Sequence, residues 1–217
     1  LDGCPWDSNQ TSKSLIPYLL EEVHEVIEAI QNENSTEIKE ELGDLLLHLI
    51  FQTQIYEEKK DFTFLELIEH INYKLKNRHP ELFGIKSELN SLNWEERKQK
   101  EKKRDKYLDG VPNSLPALTR ASRIQEKAAQ VGFDWDNIDP VWDKVNEEIE
   151  ELKIAINQKN EDNIIEELGD VLFSIVNLAR LLNIQPESSL KRTILKFENR
   201  FHFIEIELAN RNIKLTE

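Results

Sequence analysis

The 217-residue chain carries 42 acidic against 28 basic side chains, a net charge of −14, and 39% hydrophobic residues, with one cysteine, no methionine, six glycines and seven prolines. That length fits one large domain or two of about 100 residues, no run approaches the ~18 apolar residues of a membrane span, and a lone Cys4 forms no internal disulfide, so a cytoplasmic chain is expected. The acidic excess repels nucleic-acid polymers and anionic membranes, and so few glycines and prolines argue against a turn-rich β-sandwich.

Leu1-Asp2-Gly3-Cys4-Pro5-Trp6-Asp7 has neither the basic nor the apolar region of a secretory leader, and the missing initiator methionine suggests a trimmed N-terminus. Helical periodicity follows. Leu19, Val23, Val26, Ile27 and Ile30 recur at three- and four-residue spacing, then Ile38, Leu42, Leu45 and Leu49. The same pattern predicts helices over 64–82, 115–131, 141–156, 164–182 and 190–208, and no segment reads as a strand. Ser14 ahead of Pro17, Ser114 ahead of Pro116 and Asp139 before Pro140 mark helix starts. Residues 93–116 interrupt the pattern with a charged run and the turn sequence Asp109-Gly110-Val111-Pro112. The expected architecture is all-α, two tandem helical-bundle domains over 1–108 and 109–217.

An internal repeat supports that division. EEVHEVIEAIQNENSTEIKEELGD, residues 21–44, and EEIEELKIAINQKNEDNIIEELGD, residues 147–170, match without a gap at 12 of 24 positions, an offset of 126. Six of the matches are acidic: Glu21, Glu22, Glu25, Glu40, Glu41 and Asp44 pair with Glu147, Glu148, Glu151, Glu166, Glu167 and Asp170, while only four are aliphatic. Packing alone would keep the apolar stripe and let the surface drift. Glu22 with Glu25, and Glu41 with Asp44, are i,i+3 pairs that share a helix face. Glu22 and Glu148 border the apolar stripe, where unpaired like charges are costly and a bound cation removes the conflict. Two such helices joined by a short connection would converge four carboxylates in one cleft. Oxygen donors without recurring His or Cys select a hard ion, Mg²⁺ or Mn²⁺. Gly43 and Gly169 stand inside the second helix of each copy, which suggests close backbone approach. Lys74 and Arg78 recur as Lys196 and Arg200, cations suited to a polyphosphate.

These residues, with Gly3-Cys4-Pro5-Trp6-Asp7, Arg78-His79-Pro80, the segment Ala129-Gln130-Val131-Gly132-Phe133-Asp134-Trp135 and Val176-Asn177-Leu178-Ala179-Arg180, closely resemble the MazG family. These are tandem-domain nucleoside triphosphate pyrophosphohydrolases of the all-α pyrophosphatase superfamily. The resemblance implies Mg²⁺-dependent hydrolysis of an NTP or dNTP to monophosphate and pyrophosphate, loose base specificity, nucleotide-pool house-cleaning and a homodimer. It implies that the second domain is the main catalytic one, with Glu148, Glu151, Glu167 and Asp170 as metal ligands. Lys144, Glu147, Glu166, Lys196 and Arg200 match positions near the triphosphate, and Asn177 lies on the face of Asp170. Glu147 or Glu166 is the candidate proton acceptor. Family members carry a further segment with a nucleotide-binding tryptophan, beyond Leu215-Thr216-Glu217. The first copy, which retains the acidic set and Lys74 and Arg78, is a possible second site.

Two other readings compete. A di-iron carboxylate bundle uses Glu-x-x-His on two helices; Glu21 and His24 have that spacing, but Glu150 stands where the second histidine is required. A non-catalytic module that senses nucleotides through its first domain is the alternative to an enzyme. His48, His70, His79 and His202 follow no pattern shared by the copies and read as surface or core-edge residues, and the tryptophans as packing anchors.

Overall fold

The computed structural model describes residues 4–80, 82–83, 106–211 and 213–214. Among them are eight helices and no strand. They fall in two compact units, Leu1–Glu101 and Lys102–Glu217. Most of the charged run at 95–106 lies outside the described residues.

The first unit holds α1 (Pro5–Ser8), α2 (Ile16–Gln31), α3 (Ser35–Glu58) and α4 (Phe64–Arg78), with α2 packed along α3 and α3 against α4. Its buried centre is built from Leu15, Val26, Ala29 and Ile55, and Gln52 on α3 ties down the segment before α2, accepting from Ser12 Oγ at 2.6 Å and donating to Ser12 O at 3.2 Å. The second unit holds α5 (Ala117–Ala129), α6 (Asp139–Gln158), α7 (Glu161–Leu181) and α8 (Pro186–Asn210). Here α6 packs along α7, α5 crosses both α7 and α8, and Val141, Val145, Ala155, Val171, Val176 and Leu178 are buried. Tyr107 belongs with this unit, since its carbonyl accepts from the buried Lys127 Nζ at 3.1 Å.

The helices lie close to where periodicity put them, but their starts are made differently. Ser14, Ser114 and Asp139 cap nothing: α2 follows Leu15, α5 follows Pro116, and Asp139 is itself the first residue of α6. Ser14 Oγ instead donates to Gln10 Oε1 at 2.7 Å. In these helices a proline at or next to the first turn sets the entering backbone, so no side-chain oxygen is needed. The capping side chains are Asn34, Thr63 and Asn160, the middle one in a reciprocal capping box with Glu66. The apolar stripes are also only partly covered. Leu42, Leu49 and Ile30 on the first hairpin remain exposed, as do Leu190, Ile194, Leu195, Phe197, Phe201 and Ile204 on α8.

Candidate active site

Each unit builds its acidic site on one helical hairpin, and the turn that makes the hairpin is the same in both. Glu33 and Lys159, equivalent in the repeat, take left-handed backbone at φ 55° and 56°. The residue after each, Asn34 or Asn160, caps the next helix, its Oδ1 accepting from Thr36 N at 3.2 Å and Glu37 N at 3.4 Å in one copy and from Asn163 N at 3.3 Å in the other. The shared asparagine of the repeat is therefore structural. It reverses the chain after a fixed number of residues and so sets which turns of the two helices face each other.

What those turns bring together is carboxylate. Oxygens of Glu22, Glu41 and Asp44 lie within 4.8 Å of one another in the first unit, as do those of Glu148, Glu151 and Glu167 in the second. Across the two copies these trios cover all four positions of the motif. The remaining member stays near: Glu25 acts electrostatically on both Glu22 and Glu41, and Asp170 lines the pocket beside Glu148. Glu148 is only 7% exposed. Loss of solvent first, and then the charges of neighbouring carboxylates, raise Glu22, Glu41 and Glu151 above the ordinary glutamate range. Three carboxylate donors crowded in this way are unfavourable alone and fit a hard divalent cation.

Beside the second cluster lies a pocket of about 390 Å³. Ile124, Ala128, Phe133, Trp135, Val141 and Phe173 give it an apolar wall, and Lys144, Glu148, Asp170, Asn177 and Arg180 a polar one. Lys144 Nζ donates to Glu148 Oε1 at 2.8 Å and Glu147 Oε1 at 3.0 Å, and these bonds raise it above the usual lysine value. Arg180 Nε donates to Asn177 Oδ1 at 3.0 Å while its two terminal nitrogens grip both oxygens of Asp134, one of them at 3.1 Å. The guanidinium holds Asp134 below the usual aspartate range and leaves the Asn177 amide with its N–H groups free to serve a ligand.

An apolar pocket edged by a carboxylate trio with the spacing to hold a cation suits an anion with an apolar body. Comparison with known proteins agrees. The MazG nucleotide pyrophosphohydrolase domain matches residues 10–83 and again 141–202. The chain is 44% identical, over its whole length, to 84% of the nucleoside triphosphate pyrophosphohydrolase/pyrophosphatase MazG of Thermotoga maritima. It is 42% identical, over 99% of its length, to 85% of the nucleoside triphosphate pyrophosphohydrolase of Escherichia coli K12. The chain belongs to the MazG nucleotide pyrophosphohydrolase family.

The two MazG-type units are not equivalent, although both keep the acidic set. A second pocket, of about 380 Å³, is lined by Trp6, Asp7, Tyr18, Leu47, His48, Ile50, Phe51 and Gln54 of the first unit. At the repeat offset, Tyr18 replaces Lys144, Phe51 replaces Asn177 and Gln54 replaces Arg180. Glu22 therefore faces His48 Nε2 at 3.6 Å in place of a lysine. The residues expected beside the carboxylates divide likewise. Glu21, Glu40, Glu147 and Glu166 are exposed, as are Lys196 and Arg200 on α8, and none of the six lines either pocket. Lys74 is half-buried and Arg78 buried. Gly43 and Gly169 meet nothing within 4 Å of an added Cβ, so the close backbone approach expected of them does not occur.

Spacing could not find the Asp134–Arg180–Asn177 chain or Gln125, because these residues lie on three different elements. Only Asn177 and Arg180, one turn apart on α7, carried a local hint.

Proposed function

We propose that this MazG-family chain is a nucleoside triphosphate pyrophosphohydrolase that works mainly in its second unit, with Mg²⁺, or Mn²⁺ in its place, held by Glu148, Glu151, Glu167 and Asp170. The observation that carries the proposal is the carboxylate trio within 4.8 Å beside an apolar pocket that also presents Lys144 and Arg180. The relatives in Thermotoga and Escherichia carry that activity in their names. The first unit's pocket has no lysine or arginine in its lining, which favours the second as the catalytic site.

When bound, the divalent ion lowers the pKa of water and neutralises phosphate charge. The protein's own groups do the rest. Lys144, already within hydrogen-bond reach of Glu148, can exchange one carboxylate for a phosphate oxygen. Asn177, oriented by Arg180, offers an amide donor, and Lys196 and Arg200 supply positive charge from α8. Glu147 or Glu166 accepts the proton of the attacking water. The new O–P bond forms at the α-phosphorus as the bridging bond to the β-phosphate breaks, which leaves a monophosphate and pyrophosphate.

Broad use of standard and non-standard nucleotides, a house-cleaning role in the cytoplasm and division into two domains belong to the same reading. So does a homodimer. The exposed leucines, isoleucines and phenylalanines of α8 are a face that a second copy of the chain would cover. None of the described helices is long and apolar enough to cross a membrane.

Pyrophosphate release by Glu148→Ala and Glu22→Ala, assayed separately with Mg²⁺ and with Mn²⁺, tests the assignment. The first substitution is expected to lower turnover by about 100-fold or more, the scale of removing one pre-organised charge from a site, and the second by far less. If neither reduces turnover, the carboxylate site is misassigned. Hydrolysis in ¹⁸O-water should label the monophosphate, and label in orthophosphate would refute attack at the α-phosphorus.

A further inference from the structure

The apolar wall of the second unit's pocket contains one polar side chain whose hydrogen bonding is unfinished. Gln125 on α5 is 8% exposed and lines the pocket between Ile124 and Ala128, residues of the same wall. Its amide orientation is settled by chemistry: Nε2 lies 2.9 Å from the carbonyl oxygen of Phe173, which can only accept, so that atom is the N–H donor. The other amide atom, Oε1, is buried without a hydrogen-bond partner. A buried acceptor in that state costs free energy until something donates to it. Its neighbour Ser174 adds no competing donor, because the Ser174 hydroxyl gives its proton to Val171 O at 2.9 Å. Apart from Glu148, Gln125 and Ser174 are the buried polar side chains of the lining, and of the two Gln125 carries the atom without a partner.

We infer that Gln125 Oε1 is the base-reading group of this pocket, accepting an N–H from the nucleobase while the apolar and aromatic wall covers the ring. The inference rests on the assignment of the second unit as the nucleotide site. It also supplies a chemical reason for loose specificity. Each natural base offers at least one N–H on its edge: the 6-amino group of adenine, the 4-amino group of cytosine, N1–H and the 2-amino group of guanine, and N3–H of uracil and thymine. A hydrogen-bond acceptor at that point admits all of them. It rejects only bases whose edge has lost its N–H.

The test is the ratio of kcat/KM for ATP to that for purine riboside 5′-triphosphate, which lacks the 6-amino group and adds no bulk. Because a site built to pair a polar group discriminates strongly against its absence, the ratio in the wild-type protein is expected to be about 10 to 100. Gln125→Leu and Gln125→Met should bring it close to one. A wild-type ratio near one overturns the inference, and so does a high ratio that both variants retain. Should neither variant fold, as judged by thermal melting, the wild-type ratio decides alone. Failure here is separable from failure of the underlying site. Loss of ATP turnover in Glu148→Ala with a wild-type ratio near one removes Gln125 as the reader and leaves the catalytic assignment standing, whereas full turnover in Glu148→Ala removes the assignment itself.

Discussion

Single side chains in this protein are tuned by what they cannot avoid touching. Arg180 spends three nitrogens on Asp134 and Asn177, and charged hydrogen bonds of that kind contribute about 1.5–3 kcal/mol each before solvent screening. Because Asp134 is 30% exposed at its side chain, Arg180→Lys is expected to cost about 1–2 kcal/mol in urea unfolding and to raise KM more than it lowers kcat. The depressed Asp134 contributes stability that is present above its unfolded pKa, about 3.9, and is lost as pH falls through its lower folded value. That contribution should shrink on the acid limb of the stability curve in the lysine variant, which keeps the charge and the Trp135 N–H bond to Asp134 but loses the paired guanidinium bonds. Glu151 has the opposite sign. Its raised folded pKa gives stability below the unfolded value of about 4.3 that is lost as pH rises through the folded value. In chelator-treated protein, the melting temperature of Glu151→Gln relative to wild type should therefore increase as pH rises from 4 to 7. Added Mg²⁺ should raise the wild type more than the variant.

Among the elements, the two hairpins show how little is needed to aim a carboxylate cluster. A left-handed residue followed by a capping asparagine starts α3 and α7, and the motif Glu41/Asp44 or Glu167/Asp170 follows after seven and ten residues. Asn160→Ala should cost about 1 kcal/mol in chemical denaturation. Ser114→Ala, which removes an expected cap that makes no capping bond, should be neutral within about 0.5 kcal/mol. Gly169 is a helix-interior glycine whose Cβ would meet open space, so Gly169→Ala should stabilise the metal-free protein by about 0.5–1 kcal/mol. A destabilised Gly169→Ala would show that some neighbour does approach there.

At the scale of the whole molecule, the chain leaves large apolar side chains uncovered along α8, and Phe197 is 68% exposed despite stacking on Phe201. Sedimentation equilibrium is expected to show a dimer, and Leu195→Glu with Phe197→Glu a monomer, since a charge in such a face must be desolvated to associate. The all-helical fold and the doubling were legible in the sequence because periodicity and repeat are local properties of the chain. So was the convergence of Glu22 with Glu41 and Asp44, and of Glu148 with Glu151 and Glu167, since helices joined by three residues in one copy and two in the other have few ways to pack. Caps at α2, α5 and α6 were not, because proline entry made the expected oxygens unnecessary. Nor was the inequality of the two pockets. Tyr18, Phe51 and Gln54 occupy the places of Lys144, Asn177 and Arg180, yet a column of aligned residues does not say which of them line a cavity. By itself, then, the sequence determined the helices, their pairing and the place of the acidic charge. Only the tertiary structure decided which polar groups from α5, α7 and the loop before α6 meet in one pocket, because that depends on the packing of elements far apart in the chain.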